Sequence, residues 1–153
     1  MTVHGMHREV SIKVNTQPEA VYDIVSDLTR MGEWSPENIG GEWQGDGSGM
    51  VGDRFVGTNR VGDREWSVLC EITVADRGEI FEFVTRPDIG PCVRWTYRLD
   101  PIRTGTRVTE VWDVMQLPPS LESRTPEQLE QRAQAVERGM VTTLERIKRH
   151  LEQ

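Results

Sequence analysis

The 153-residue chain has a net charge of −7, and 36% of its residues are hydrophobic against 28% charged, which is typical of one globular domain over residues 1–153. The acidic balance disfavours nucleic acid as a partner, because phosphate binding needs a basic surface. No apolar run is long enough to cross a membrane, and residues 1–10 lack the apolar core of a secretory signal, so we expect a cytoplasmic protein without integral membrane association.

The first predicted elements are a strand and two short helices. Residues 9–14 alternate between polar and apolar side chains, which is typical of a half-buried strand. Thr16 and Glu19 have the spacing of a capping box, so we predict that Thr16 is the N-cap of a helix running to about Leu28. Residues 31–38 are predicted as a second short helix or turn, and the Ser35-Pro36 pair inside this segment fits an N-cap and first helical position.

A meander of antiparallel strands is predicted for residues 39–115. Glycine-rich turns separate runs in which apolar and polar residues alternate, a pattern that indicates one buried and one wet face. The predicted inward face carries Phe55, Gly57, Asn59, Trp66, Val68, Cys70, Ile72, Phe81, Phe83, Trp95, Tyr97, Leu99, Val108, Glu110, Trp112 and Val114. The opposite face carries Arg54, Glu71, Glu82, Arg94, Arg98, Arg107 and Asp113.

The last predicted element is a long C-terminal helix. Thr125 fits the N-cap, Pro126 the first helical position and Gln128 the third. An apolar stripe then continues along a helix of roughly 40 Å, through Leu129, Ala133, Val136, Met140, Leu144, Ile147 and Leu151. The apolar face of the sheet is the expected partner of this stripe. We therefore predict an α+β fold in which a curved antiparallel sheet of six to seven strands wraps around the helix.

Several segments accompany this order of elements: Pro18–Tyr22, Val25–Leu28, Trp34–Pro36, Val51–Phe55, Gly57 with Asn59 and Arg60, Trp66, Gly105–Glu110, Gly139 with Met140, and Leu144–Lys148. With them the chain resembles the START-like helix-grip superfamily, also called SRPBCC, and within it the bacterial polyketide cyclase/dehydrase and lipid-transport branch. The resemblance implies a cavity between sheet and helix. Members include carriers, sterol and quinone binders and aromatase/cyclases. They share no universal catalytic motif, so no catalytic residue is carried over by position.

The predicted ligand-binding residues lie on the inward face and on the long helix. They are Phe55, Asn59, Trp66, Val68, Phe81, Phe83, Trp95, Tyr97, Glu110, Trp112, Val136 and Met140. The aromatic rings are either ordinary core or the walls of a space that one helix leaves unfilled. We favour a pocket for the group as a whole, with Asn59, Tyr97 and Glu110 as its polar contacts.

Glu110 is the inward carboxylate, and it has two interpretations. Such a group is costly to bury unless it is paired or protonated. In the functional interpretation it is a ligand contact or a general acid/base with a raised pKa. In the structural interpretation it is a satisfied structural carboxylate, or the strand is shifted by one residue and Glu110 points outward. Tyr97 is the second candidate for acid–base chemistry.

Other patterns predict no chemistry. Residues 47–52 match GxGxxG, but a strand follows them where a dinucleotide site needs a helix. His4 and His7 lack a third metal ligand nearby in sequence, so no metal and no cofactor are predicted. Cys70 and Cys92 lie in apolar stretches and are expected to be reduced, buried thiols.

Two classes of function fit these observations. One is binding of an apolar or aromatic small molecule that is lipid-, polyketide- or quinone-like, and the other is a polyketide cyclase or dehydratase. The absence of a Ser/His/Asp or Cys/His set in the sequence favours binding. A third possibility, a partner-binding domain with a collapsed, dry cavity, is disfavoured because the outer face of the strands is charged. Residues 89–92 and 117–124 are candidate entrance loops, and Gly139 permits close packing, a bend or space for a ligand. The sequence predicts no particular oligomeric state.

Overall fold

One sheet and one long helix dominate the computed structural model, which describes residue 3 and residues 5–153. The elements in chain order are β1 (His7–Val14), α1 (Pro18–Val25), a 3-10 helix (Leu28–Glu33), β2 (Asn38–Trp43), β3 (Arg54–Val61), β4 (Arg64–Asp76), β5 (Ile80–Thr85), β6 (Val93–Ile102), β7 (Gly105–Val114) and α2 (Pro126–Leu151). Short 3-10 turns lie at Pro87–Ile89 and Pro119–Leu121. No helix within the described residues is long and apolar enough to span a membrane.

The seven strands form one antiparallel sheet in the order β1-β7-β6-β5-β4-β3-β2. Irregular pairing interrupts β2 near Gly40 and β4 near Thr73, and such bulges bend a strand and increase its twist. The sheet thereby curves, and α2 lies on its inner face against β1 and β7. The predicted α+β helix-grip fold is confirmed, with seven strands and two short helical segments after the first of them.

The helix α1 begins later than the sequence predicts, and the assignment of Thr16 as its N-cap is wrong. Pro18 takes the first helical position, so the N-cap is Gln17, whose side chain makes no capping bond. The carbonyl of Thr16 instead accepts a hydrogen bond from the Thr106 hydroxyl of β7. The helix also ends at Val25, before the predicted end.

The second short helix spans Leu28–Glu33, so it overlaps only the start of the predicted segment 31–38 and precedes the Ser35-Pro36 pair. Asp27 caps this 3-10 helix by accepting a hydrogen bond from the amide of Thr29. Ser35 does not start a helix. Its hydroxyl accepts hydrogen bonds from the backbone amides of Glu37 and Asn38, and these bonds fix the turn that leads into β2.

The N-terminus of α2 has the predicted capping box. The Thr125 hydroxyl accepts from the amide of Gln128 at 3.1 Å, and the Gln128 side chain accepts from the amide of Thr125 at 2.9 Å. The helix then runs for 26 residues without interruption. Its buried residues are Leu129, Ala133, Val136, Met140, Thr143, Leu144 and Ile147.

The buried apolar residues form two clusters, one toward each end of α2. The first joins Leu144 and Ile147 to α1 and to Phe81 of β5. The second surrounds Val136 and Met140 and includes Trp112 of β7 and Met6. Residues of both clusters form walls of a single cavity, which therefore lies between the two filled parts of the core.

Candidate functional site

A cavity of about 590 Å³ separates the inner face of the sheet from α2. This volume lies within the range of small-molecule sites, roughly 300–1,000 Å³. Of the twelve residues predicted to bind a ligand, all but Phe81 line it. They are Phe55, Asn59, Trp66, Val68, Phe83, Trp95, Tyr97, Glu110, Trp112, Val136 and Met140.

The aromatic wall follows from the register of the strands. Phe83 of β5 pairs with Trp95 of β6, and Trp95 pairs with Trp112 of β7. Residues paired across neighbouring strands point to the same face, so the three side chains lie in one row. Phe83 and Trp95 remain half-buried although they point inward, and this accessible ring surface faces the cavity.

Phe81 lies in the core, away from the cavity. Its ring packs edge-on against Tyr22 of α1, with 5.9 Å between the ring centroids, and its side chain is fully buried. The sequence placed Phe81 with Phe83 because the two share a face of β5. That face is covered by α1 at one end and left open at the other.

Glu110 and Tyr97 form a buried pair across β6 and β7. Their Cα atoms are direct partners in the sheet, which rules out the outward register for Glu110. The Tyr97 hydroxyl donates to Oε2 of Glu110 at 2.9 Å. The other carboxyl oxygen, Oε1, is buried and has no hydrogen-bond partner among the described residues. Only one of the two carboxyl oxygens of Glu110 therefore has a hydrogen-bond partner in the described protein.

Burial controls the protonation of this pair. Glu110 is only 3% exposed, and desolvation raises the pKa of its carboxyl to about 8, although the Tyr97 hydrogen bond acts in the opposite direction. Burial, and then the charge of Glu110, raise the pKa of Tyr97 well above its ordinary value. Near pH 7 both groups therefore hold their protons, and Glu110 is mostly a neutral acid that can donate or accept a hydrogen bond.

Asn59 is the third polar residue that the sequence placed at the site. It is half-buried on β3, and its side-chain oxygen accepts a long hydrogen bond of 3.5 Å from Asn38 of β2. Its amide nitrogen has no partner within the described part of the chain. The structure therefore leaves Asn59 with a free donor on the cavity wall.

The exposed lining residues define the mouth of the cavity, and they are Pro36, Val61, Arg64, Ser67, Pro119, Ser120 and Arg124. Of the two candidate entrance loops, residues 117–124 contribute four consecutive residues and Arg124 to the lining. Residues 89–92 contribute none. Their backbone is instead tied down by the Gln116 side chain, which donates to the carbonyls of Ile89 and Gly90.

Four arginines at the cavity were missed by the sequence reasoning: Arg64, Arg86, Arg124 and Arg132. Arg64 is separated from Trp66 and Val68 by even numbers of residues along β4, so the alternation of side chains in a strand places it on the same inner face. Arg132 precedes Val136 by one helical turn, and the period of α2 could have found it. Arg86 and Arg124 lie in loops, where no periodicity applies.

Gly139 lies where α2 approaches the Ser35-Pro36 turn. A Cβ atom at this position would lie 3.5 Å from Cγ of Pro36, which is an ordinary contact distance. Gly139 also lines the cavity, and the helix continues through it. Close packing and space for a ligand are thus both compatible with this glycine.

The GxGxxG match at residues 47–52 is an irregular loop between β2 and β3. The Asp53 carboxylate closes this loop by accepting hydrogen bonds from the backbone amides of Ser48, Gly49 and Met50. These hydrogen bonds hold the pKa of Asp53 below its ordinary value. The strand β3 follows. The loop therefore lacks the helix that a dinucleotide site requires.

The histidines and cysteines form no metal site within the described residues. His7 contacts Glu9 and Asp113, and these two carboxylates, Glu9 first, raise its pKa, while His4 lies outside the described residues. Cys70 and Cys92 are buried free thiols. Burial raises the pKa of Cys70 to about 12, so its thiol is a poor nucleophile at neutral pH.

The fold and the cavity together define a helix-grip protein with an internal space of ligand size. A sequence model of the family described as polyketide cyclase/dehydrase and lipid transport matches residues 6–152, and the chain belongs to that family. The family and the fold indicate a role in ligand binding or cyclisation. No curated protein matches the chain.

Solved structures support the same assignment. The polyketide-cyclase-like protein Cgl2372 from Corynebacterium glutamicum is 32% identical, with a TM-score of 0.69 over 96% of this chain and 91% of Cgl2372. The di-domain ARO/CYC protein StfQ of the steffimycin biosynthetic pathway is 12% identical, with a TM-score of 0.77 over 96% of this chain and 50% of StfQ. NE0264 from Nitrosomonas europaea is 12% identical, with a TM-score of 0.72 over 99% and 97% of the two chains. The last two likenesses concern the fold alone.

Proposed function

We propose that the protein binds an apolar or aromatic small molecule, of lipid, polyketide or quinone type, in the cavity between the sheet and α2. The observation that carries this proposal is a cavity of about 590 Å³ bordered by inward-facing rings that keep accessible surface. Covering apolar surface is favourable by about 25 cal/mol per Å². A ligand that covers these rings therefore gains much of its affinity from the apolar members of the eleven predicted residues that line the cavity.

Polar contacts would orient the ligand within this apolar space. Oε1 of Glu110 is the strongest candidate, because it is buried without a protein partner in the described chain and belongs to a residue that lines the cavity. In its protonated form Glu110 donates to a carbonyl, ether or phenol oxygen. The amide nitrogen of Asn59 is a second donor, and Tyr97 fixes the orientation of the Glu110 carboxyl.

The chain's net charge of −7 and its buried free thiols support the rest of the proposal. The charge disfavours a nucleic-acid partner. Unpaired thiols are typical of a reducing compartment such as the cytoplasm. We accordingly propose a single cytoplasmic domain whose partner is a small molecule.

The first test is a titration with the fluorescent neutral probe N-phenyl-1-naphthylamine, together with native mass spectrometry of freshly purified protein. The variant Val136→Phe adds volume to the cavity wall, and we expect it to weaken probe binding by about tenfold or more. Val141→Phe is the matched control, because Val141 lies on the same helix and is 39% exposed. Equal probe binding by both variants would contradict the cavity as the site.

A second candidate function is acid–base catalysis of the cyclase or dehydratase type. It is favoured by one observation, the half-satisfied Glu110 carboxyl with a pKa of about 8 facing the cavity. A group that titrates near neutral pH suits proton transfer. With a polyketide-like substrate, Glu110→Gln should abolish turnover and keep binding. Turnover by Glu110→Gln at the wild-type rate would remove Glu110 from the chemistry.

A further inference from the structure

The ionisable side chains around the cavity carry a charge opposite to that of the whole protein. The lining contains four arginines, and its acidic residues are Glu37 and Glu110. Glu110 is mostly neutral near pH 7, because its burial raises its pKa to about 8. The cavity is therefore a basic site in a chain whose net charge is −7.

Two of these arginines are already neutralised by carboxylates. Arg132 donates two hydrogen bonds to Glu37, at 2.7 and 3.0 Å. Arg86 likewise donates two hydrogen bonds to Asp88, both at 3.0 Å. Paired guanidinium and carboxylate groups of this geometry satisfy each other. Arg132 and Arg86 thus have structural partners and little free charge.

Arg64 and Arg124 have no ion pair within the described residues. The guanidinium of Arg64 lies 5.0 Å from the centroid of the Trp66 ring, which holds its charge beside the aromatic wall. Arg124 lies in the loop that leads into α2, where its amide donates to the Leu121 carbonyl. Both side chains are exposed at the mouth, so two unneutralised guanidinium groups border the entrance of an apolar cavity.

We propose that the ligand is an amphiphile whose anionic oxygen group, a carboxylate, sulfonate or phosphate, lies at the mouth, where Arg64 and Arg124 supply unneutralised positive charge. This inference rests on the proposed function and adds the class of ligand to it. The planar guanidinium group is well suited to bind such oxygen anions. The apolar part of the molecule then enters the cavity beside Trp66, and the anionic group stays at the solvent-exposed end.

A matched pair of fluorescent probes tests the proposal. N-phenyl-1-naphthylamine is neutral, and 8-anilinonaphthalene-1-sulfonate has the same ring system with one added sulfonate. We expect the sulfonate to bind about tenfold more tightly at low ionic strength. Arg64→Gln and Arg124→Gln should each weaken sulfonate binding about threefold to fivefold more than they weaken binding of the neutral probe. Added salt should weaken binding of the sulfonate alone.

Arg103→Gln is the matched control, because Arg103 is exposed in the turn between β6 and β7, outside the cavity lining. The inference is overturned if the neutral probe binds as tightly as the sulfonate, or if Arg103→Gln has the same effect as the mouth variants. Binding of neither probe would defeat the proposed function itself. Phosphatidylglycerol vesicles give a further arm. Arginine-dependent vesicle binding, with sulfonate binding unaffected by the variants, would assign the two arginines to a membrane surface and overturn the inference.

Discussion

Replacement of Glu110 by glutamine should change how the stability of the protein depends on pH. In the folded state the pKa of this carboxyl is raised from 4.5 to about 8 by burial. The folded protein therefore holds a proton that the unfolded chain releases between these pH values. Because the folded state binds more protons in this window, the free energy of unfolding falls as the pH rises through it. The contribution of Glu110 to the free energy of unfolding is therefore highest below pH 4.5 and lowest above pH 8.

The magnitude follows from the size of the shift. Raising a pKa from 4.5 to about 8 corresponds to about 5 kcal/mol of stability lost across the window. Glutamine has the same shape and no charge, so Glu110→Gln should lose none of this stability. We expect the variant to resemble the wild type near pH 4 in its free energy of unfolding and to exceed it by several kcal/mol near pH 9.

Urea unfolding at a series of pH values from about 4 to 9 measures this difference. Glu42→Gln serves as the control, because Glu42 is exposed on the edge strand β2 and its replacement removes the same charge. The quantity to follow is the difference in free energy of unfolding between Glu110→Gln and the wild type. If this difference is constant with pH, Glu110 is ionised in the folded protein and the reasoning is refuted.

Four other variants test the packing and the polar pair by urea unfolding. Tyr97→Phe removes the hydrogen-bond donor to Glu110, so it should lower the free energy of unfolding by about 1–3 kcal/mol. It should also raise the pKa of Glu110 further and so shift the pH dependence described above. An unchanged pH profile would contradict the hydrogen bond between Tyr97 and Glu110. Thr125→Ala should cost about 1 kcal/mol by removing one half of the capping box of α2, and no loss would mean that the cap is dispensable. Phe81→Ala should lower the free energy of unfolding by about 3–5 kcal/mol, because it leaves a cavity in the core. Phe83→Ala, at a half-buried position on the cavity wall, should lower it less and should weaken binding of the neutral probe. Equal losses of stability would contradict the different surroundings of the two rings.

The pattern of two residues per repeat in the strands predicted the inner face well, because pairing in an antiparallel sheet preserves the face of each residue. Tyr97 and Glu110 illustrate this, since each was placed inward from its own strand and the two proved to be direct partners. The capping box of α2 was equally readable, because all of its parts lie within residues 125–128. Local patterns thus predicted the elements that position the site.

Predictions that depended on neighbouring elements were less successful. Thr16 and Glu19 fit a cap by spacing, but Pro18 fixed the first helical position and moved the N-cap to Gln17. Phe81 has the face and the chemistry of a wall residue, and only the position of α1 across the sheet assigns it to the core. Similarly, the loss of free charge on Arg132 depends on Glu37, which is far away in sequence.

The geometry of Glu110 connects the stability of the fold with the proposed binding role. The Tyr97 hydroxyl donates its only proton to Oε2, so a neutral Glu110 can carry its own proton on Oε1. No described protein group lies within hydrogen-bond distance of Oε1 to accept that proton. A buried donor without an acceptor costs about 1–3 kcal/mol. A ligand that supplies an oxygen at this point would recover part of that cost and should stabilise the fold beyond what its apolar contacts provide.

The same argument gives the pH dependence of binding. An acceptor oxygen on the ligand favours the protonated form of Glu110, whose pKa is about 8. We therefore expect binding of such a ligand to weaken as the pH rises above 8, while binding of a purely apolar ligand of similar size stays constant. Glu110→Gln keeps a donor at this position and has no proton to lose, so the pH dependence should disappear in this variant. If the dependence persists in Glu110→Gln, it arises from another group, and Oε1 of Glu110 is not the contact.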